Sequence, residues 1–163
     1  MSRIAPDQPL VPSVLDRLLD NEPGASRETP RSRHQVLREL KAAVRRDLEN
    51  LLNTRVRFTT WPAHLTELEK SLVSYGIPDV TAADLGNARN RELFRRKLED
   101  VVRRFEPRFK TVSISLLEPG DWTDRTLRFR IDALLRVEPV PEPVVFDSAV
   151  EPTTGDFKIE RSA

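Results

Sequence analysis

Carboxylates are the residues of this chain best placed to do chemistry. Glu99, Asp100, Glu106, Glu118, Asp121 and Asp124 fall within one short span, and a glycosidase needs only two facing carboxylates, one kept protonated by apolar surroundings. A peptidoglycan glycosidase is therefore the alternative from the enzyme class. Glu106 argues against it. In RRFEPRF it lies beside Arg103, Arg104 and Arg108, which hold a carboxylate ionised, as an acceptor in salt bridges. The other chemistries fail on residue type. The only histidines, His34 and His64, lie in different predicted elements, and there is no cysteine, so neither a zinc set nor a thiol nucleophile can be assembled. Ser113 and Ser115 lie in a strand pattern without a nucleophile elbow. GxGxxG, Walker A and HExxH are absent. The sequence predicts no catalytic residue, no metal, no cofactor, no small-molecule substrate and no enzyme.

Glu106, Pro107 and Arg108 can instead make a stiff corner. Pro107 drives Glu106 out of the helical region, and without an N–H it cannot prolong the helix. Glu106 and Arg108 then stand at a turn from helix to strand, flanked by Phe105 and Phe109. In an extended chain their side chains diverge, each toward a different charged group. They serve either a partner, with Arg108 clamping a carboxylate bidentately, or only the protein's own fold.

The elements that must hold this corner are readable from periodicity. SVLDRLLD is a short helix capped by Ser13, with Val14, Leu15, Leu18 and Leu19 on one face. So short a helix needs a surface to dock on. Ser32 and Gln35 have capping-box spacing, and Leu37, Leu40, Val44, Leu48 and Leu51 follow at helical intervals up to Asn53. RVRFT reads as a short edge strand. Thr66 and Glu69 again suggest a capped helix, sharing Leu65, Leu68, Leu72 and Tyr75, closed by Gly76 and Pro78. A third helix spans about 89 to 105, with Phe94, Leu98, Val101, Val102 and Phe105 as its buried stripe. After Pro107 the period changes to two. Val112, Ile114 and Leu116, then Leu127, Phe129 and Ile131, predict a hairpin around the loop EPGDWTD. VVF and FKI in the tail could extend the sheet or reach a partner. The fold class is α+β, with helices packed against a small antiparallel sheet. The chain divides into an N-terminal arm with a short helix (1–31), a central domain (32–137) and a proline-bearing C-terminal extension with candidate edge strands (138–163).

Composition narrows the partners. The 163 residues carry a net charge of +1, so no general cationic field calls for nucleic acid. Arginines along the third helix are interrupted by Glu92, Glu99 and Asp100, and pairs such as Glu92 with Arg96 read as a solvated face. Arginine outnumbers lysine 22 to 5, which suits bidentate protein contacts. No apolar run is long enough to span a bilayer and the N-terminus has no signal-peptide core. The expectation is a cytoplasmic protein.

Four pieces in order carry a resemblance. SVLDRLLD resembles the N-terminal leucine-rich element, RRDLENLLNTR the "RDLExLLNTR" signature, SLVSYGIPDV the "SLLNYGLPD" pattern and FEPRF the Glu-Pro-Arg box of the TssE family. These are wedge subunits of type VI secretion baseplates, similar to the gene-25-like proteins of phage baseplates. Ser74 replaces a common asparagine and Val73 a leucine. The resemblance, covering about residues 14 to 137, implies a structural role. It implies wedge partners TssF and TssG, with TssK as a further candidate. It also implies the contractile sheath proteins TssB and TssC, whose strands would be received by the subunit's small sheet. The implied location is a cytoplasmic baseplate docked on an inner membrane complex. The central domain would be the wedge domain. Glu106, Pro107, Arg108, Arg55 and Arg104 are then expected at protein interfaces. Asn53, Tyr75, Gly76, Pro78, Asp79 and Phe105 are expected to be structural. A phage or phage-like contractile tail is the alternative within this class.

Overall fold

The computed structural model describes residues 13–19, 23–24, 32–56, 61–62, 64–78, 87–117, 126–150 and 154–161. Its elements are helices α1 (Val14–Leu18), α2 (Arg33–Asn53) and α3 (Ala88–Phe105), and strands β1 (Phe109–Leu116), β2 (Leu127–Leu135), β3 (Glu142–Val150) and β4 (Phe157–Arg161). The strands form one antiparallel sheet in the order β1-β2-β3-β4. The fold is α+β, as the change of period at Pro107 predicts.

Strand alternation decides which face is covered. On one face Phe129, Ile131 and Leu135 of β2, Phe146 and Val150 of β3, and Phe157 and Ile159 of β4 are buried. They meet Val44, Leu48 and Leu52 of α2 and Leu98 and Val102 of α3 in a single core. Each such side chain contributes about 1.5–3 kcal/mol by leaving water. The other face keeps Ser113, Arg128, Asp132 and Lys158 exposed, and Arg130 pairs there with Asp147 on the neighbouring strand at 2.7 Å.

The helix caps follow the sequence. Ser32 and Gln35 form the reciprocal capping box of α2, and Ser13 caps α1. The tail does more than two three-residue segments suggest. β3 pairs with β2 along nine residues and lies inside the sheet, while β4 forms its edge.

Two local expectations are corrected. Thr66 does not start an α-helix. Two 3-10 stretches, Thr66–Lys70 and Leu72–Ser74, replace it, with Leu65 at the first N-terminus and no side-chain cap. The cause is local competition from serines. Ser71 and Ser74 hydroxyls donate to the Leu68 carbonyl at 2.9 Å each, and Ser71 restarts the turn by accepting from the Val73 N–H. Leu72 is consequently 87% exposed rather than on a buried face. RVRFT yields an isolated bridge, with Arg55 pairing in parallel with Ile77; residues 57–59 of that stretch lie outside the described residues.

Candidate interaction site at the charged corner and the sheet edges

Glu106 ends α3 and its N–H still closes the last helical turn on the Val102 carbonyl at 2.9 Å. Its side chain is turned inward, and the residue is only 4% exposed. The expectation that Glu106 and Arg108 diverge is wrong. Arg108 Nε donates to Glu106 Oε1 at 2.7 Å and Nη2 to Oε2 at 2.5 Å, while the Arg108 backbone N–H also donates to Oε1 at 3.1 Å. The chain is not extended here: the Phe109 N–H reaches the Glu106 carbonyl at 3.2 Å, and this tight turn brings both side chains to one side. A buried carboxylate needs such a partner, and Arg108 is the nearest cation that can fork.

The pair continues into a ladder. Arg108 Nη2 donates to Asp47 of α2 at 2.7 Å. Asp47 accepts from its neighbour Arg46, and Arg46 reaches Asp16 of α1 at 3.0 Å. Five alternating charges thus run from the α3–β1 corner across α2 to α1. Burial disfavours the Arg108 cation, but Glu106 and Asp47 outweigh it and hold it more firmly protonated than a free arginine. Burial likewise opposes ionisation of Asp16, yet bonds from Ser13 and Arg46 pull its pKa below the ordinary carboxylate range. Burial, with Asp47 and Glu106 nearby, raises the Tyr75 phenol. α1 is held by this charge contact while Val14, Leu15, Leu18 and Leu19 stay exposed; its apolar face does not dock on the described residues.

Asn53, Thr54 and Arg55 have a different task. Asn53 Nδ2 donates to the Phe157 carbonyl at 3.0 Å and its Oδ1 accepts from the Phe157 N–H at 2.9 Å. Arg55 donates to the Leu52 carbonyl at 2.9 Å and to the Gly155 carbonyl, with its guanidinium 5.7 Å from the centre of the Phe157 ring. The end of α2 therefore clamps the start of β4. The Thr54 carbonyl accepts from Ile77 N–H at 2.9 Å, and Gly76 is required beside it. Its φ is +113°, and a Cβ there would lie 2.5 Å from that carbonyl oxygen. Tyr75 packs edge-on against Phe105 at 5.3 Å.

The remaining expected residues divide. Pro107 is exposed at the corner. Arg104 is exposed and donates to the Glu69 carbonyl at 3.1 Å. Pro78 follows the Gly76 turn, and Asp79 lies outside the described residues. Arg103 turns away from Glu106 toward Glu99, at 2.6 Å. Sequence reasoning missed Asp47, Arg46 and Asp16; their i, i+1 charge alternation and distant partners leave no periodic trace. It read Arg95 and Glu99 as part of a solvated helix face and missed that they cover the β1 edge. Arg95 donates to the Ile114 carbonyl at 3.1 Å, and the Ile114 N–H donates to Glu99 at 3.4 Å.

This arrangement braces the corner of the fold: both Glu106 carboxylate oxygens accept from Arg108, which leaves neither facing an open cleft without a partner. Among the described residues no cluster of metal-ligating side chains occurs, and no helix is long and apolar enough to cross a membrane. Residues 38–140 match the family described as baseplate wedge protein gp25. The chain is also similar, at 21% identity and a TM-score of 0.48, to a solved chain from "The baseplate complex from the type VI secretion system"; the likeness covers 70% of this chain and 96% of that one. No curated protein matches significantly.

Proposed function

The chain belongs to the baseplate wedge protein gp25 family, whose role is structural, and from that premise we propose that it is the corresponding wedge subunit of a type VI secretion system. The observation that carries the proposal is the match over 38–140, which takes in Arg46, Asp47, Glu106 and Arg108 of the charged ladder and the Asn53–Arg55 end of α2. The choice of secretion system over a contractile phage tail is supported by the wording of RRDLENLLNTR, SLVSYGIPDV and FEPRF, which resembles TssE.

In this reading the subunit works in a cytoplasmic baseplate docked at the inner membrane. TssF and TssG, with TssK beyond them, meet the helix corner, and TssB and TssC meet the sheet. Arg104 and the outer edge of Arg108, whose side chain is 23% exposed, make the polar contact. Glu106, Pro107 and Arg55 aim and stiffen it. Strand pairing at the sheet supplies main-chain hydrogen bonds to an arriving sheath segment.

The test is co-purification of the full chain with TssF and TssG. Wild type is retained. Arg104→Glu, which leaves the buried pair intact, loses most of the retained TssF and TssG. Retention unchanged by Arg104→Glu removes Arg104 from the interface, and failure of wild type to co-purify contradicts the functional reading itself.

A further inference from the structure

In an antiparallel pair, residues alternate between those that bond the neighbouring strand and those whose N–H and C=O turn away from it. On β4 the phase is set by Asn53. Phe157 gives both main-chain groups to the Asn53 carboxamide, so it is an outward residue, and Ile159 and Arg161 share its phase. On β1 the phase is set by α3. Ile114 gives both main-chain groups to Arg95 and Glu99, so Val112 and Leu116 are outward as well.

The two edges differ in where the side-chain plug falls. On β1 it falls in the middle. Val112 and Leu116 are left as single rungs on either side, and the register slips between Phe109 and Thr111. A side-chain plug and a bulge are devices that blunt an edge. On β4 the plug falls on the first residue. Ile159 and Arg161 are consecutive free rungs, and among the described residues no group other than β3 bonds that stretch.

We infer that the strand-accepting edge is β4 beyond Phe157, and that the Asn53 carboxamide is the stop that fixes where an incoming strand begins. The inference rests on the reading that sheath segments add to this sheet. The occupant is an extended partner segment of at least two outward-paired residues. It places an apolar side chain beside Ile159, which is buried on the core face, and polar side chains beside the exposed Lys158 on the other. Arg55 keeps the stop in place by holding Gly155 and the Phe157 ring.

Residue-resolved amide exchange on the full chain, alone and with purified TssB–TssC, tests this. In the free chain the Phe157 N–H is protected and that of Ile159 is not. Asn53→Ala speeds Phe157 exchange about tenfold, the loss of one hydrogen bond, and leaves Ile159 unchanged. An unchanged Phe157 overturns the role of Asn53, whatever the partner. With TssB–TssC bound, Ile159 and Arg161 slow about tenfold or more while Val112 does not. Slowing at Val112 instead overturns the β4 assignment and leaves strand addition standing. A complex that slows neither edge overturns strand addition and this inference with it. Absence of any complex contradicts the sheath-joining function.

Discussion

Arg108 bridges two carboxylates from separate elements, Glu106 at the end of α3 at 2.5 Å and Asp47 on α2 at 2.7 Å. One guanidinium thereby ties the corner of the molecule to the helix behind it. Removing it leaves Glu106 buried without its cation, the expensive half of a broken pair. Arg108→Ala is expected to cost about 3–5 kcal/mol in urea unfolding. Arg108→Lys keeps the charge and loses the fork, and should cost about 1.5–3 kcal/mol, the worth of a hydrogen bond to a charged group.

Gly76 is a second fixed point. Gly76→Ala demands a left-handed backbone at φ +113° and brings Cβ to 2.5 Å from the Thr54 carbonyl oxygen, which is main chain and cannot rotate aside. The loss should reach at least about 2 kcal/mol. A thermal melt that shifts by less than a degree would show that the turn relaxes freely.

Ser148 runs the other way. It is buried between Phe129 and Ile159 in register, and its hydroxyl has no hydrogen-bond partner among the described residues. Ser148→Ala removes an unsatisfied polar group at little change in volume. It is expected to stabilise the protein by about 1 kcal/mol, read as a raised denaturation midpoint.

Acid should weaken the protein through carboxylates whose folded pKa lies below the unfolded value. Glu92, bonded by Arg95 and Arg96, is lowered from 4.5 to about 2. Glu99 is lowered because the Ile114 N–H, Arg103 and Arg95 outweigh its burial, and Asp16 is lowered by Ser13 and Arg46. For a depressed carboxylate the stabilisation is complete above the unfolded pKa and is lost as pH falls through the folded one. Urea midpoints should therefore hold steady from pH 6 to 8 as far as these groups are concerned and fall below about pH 4.5. The Glu92 share is small because that pair faces solvent. Asp16→Asn should flatten the part of the slope that belongs to α1. A midpoint that rises on acidification would contradict the ladder.

Much of this architecture is written locally in the chain. The Ser32–Gln35 box, the change of period after Pro107 and the Gly76–Pro78 stop each act within a few residues, so pattern alone places α2, α3, β1, β2 and the turn before Pro78. What pattern could not give is whatever depends on distant groups. Glu106 and Arg108 read as diverging charges because a tight turn at Pro107 is not distinguishable from extended chain without knowing that Asp47 waits across the corner. β3 looked like a short apolar segment in a proline-bearing tail, since its length is set by pairing with β2. Thr66 has good cap spacing, yet Ser71 and Ser74 hydrogen-bond the carbonyls that a longer helix would need. Asn53 is legible as a helix end; that its carboxamide would stand in for a strand is visible only once Phe157 is beside it.

The central claim is that Glu106 and Arg108 act as one internal strut rather than as two independent surface charges. A double-mutant cycle in urea tests it most directly, with Glu106→Ala, Arg108→Ala and the double variant measured on the full chain. The strut predicts strong non-additivity, with the double variant about 1–3 kcal/mol more stable than the sum of the two losses allows. Additive losses would mean that the two side chains do not hold each other, and would contradict the account.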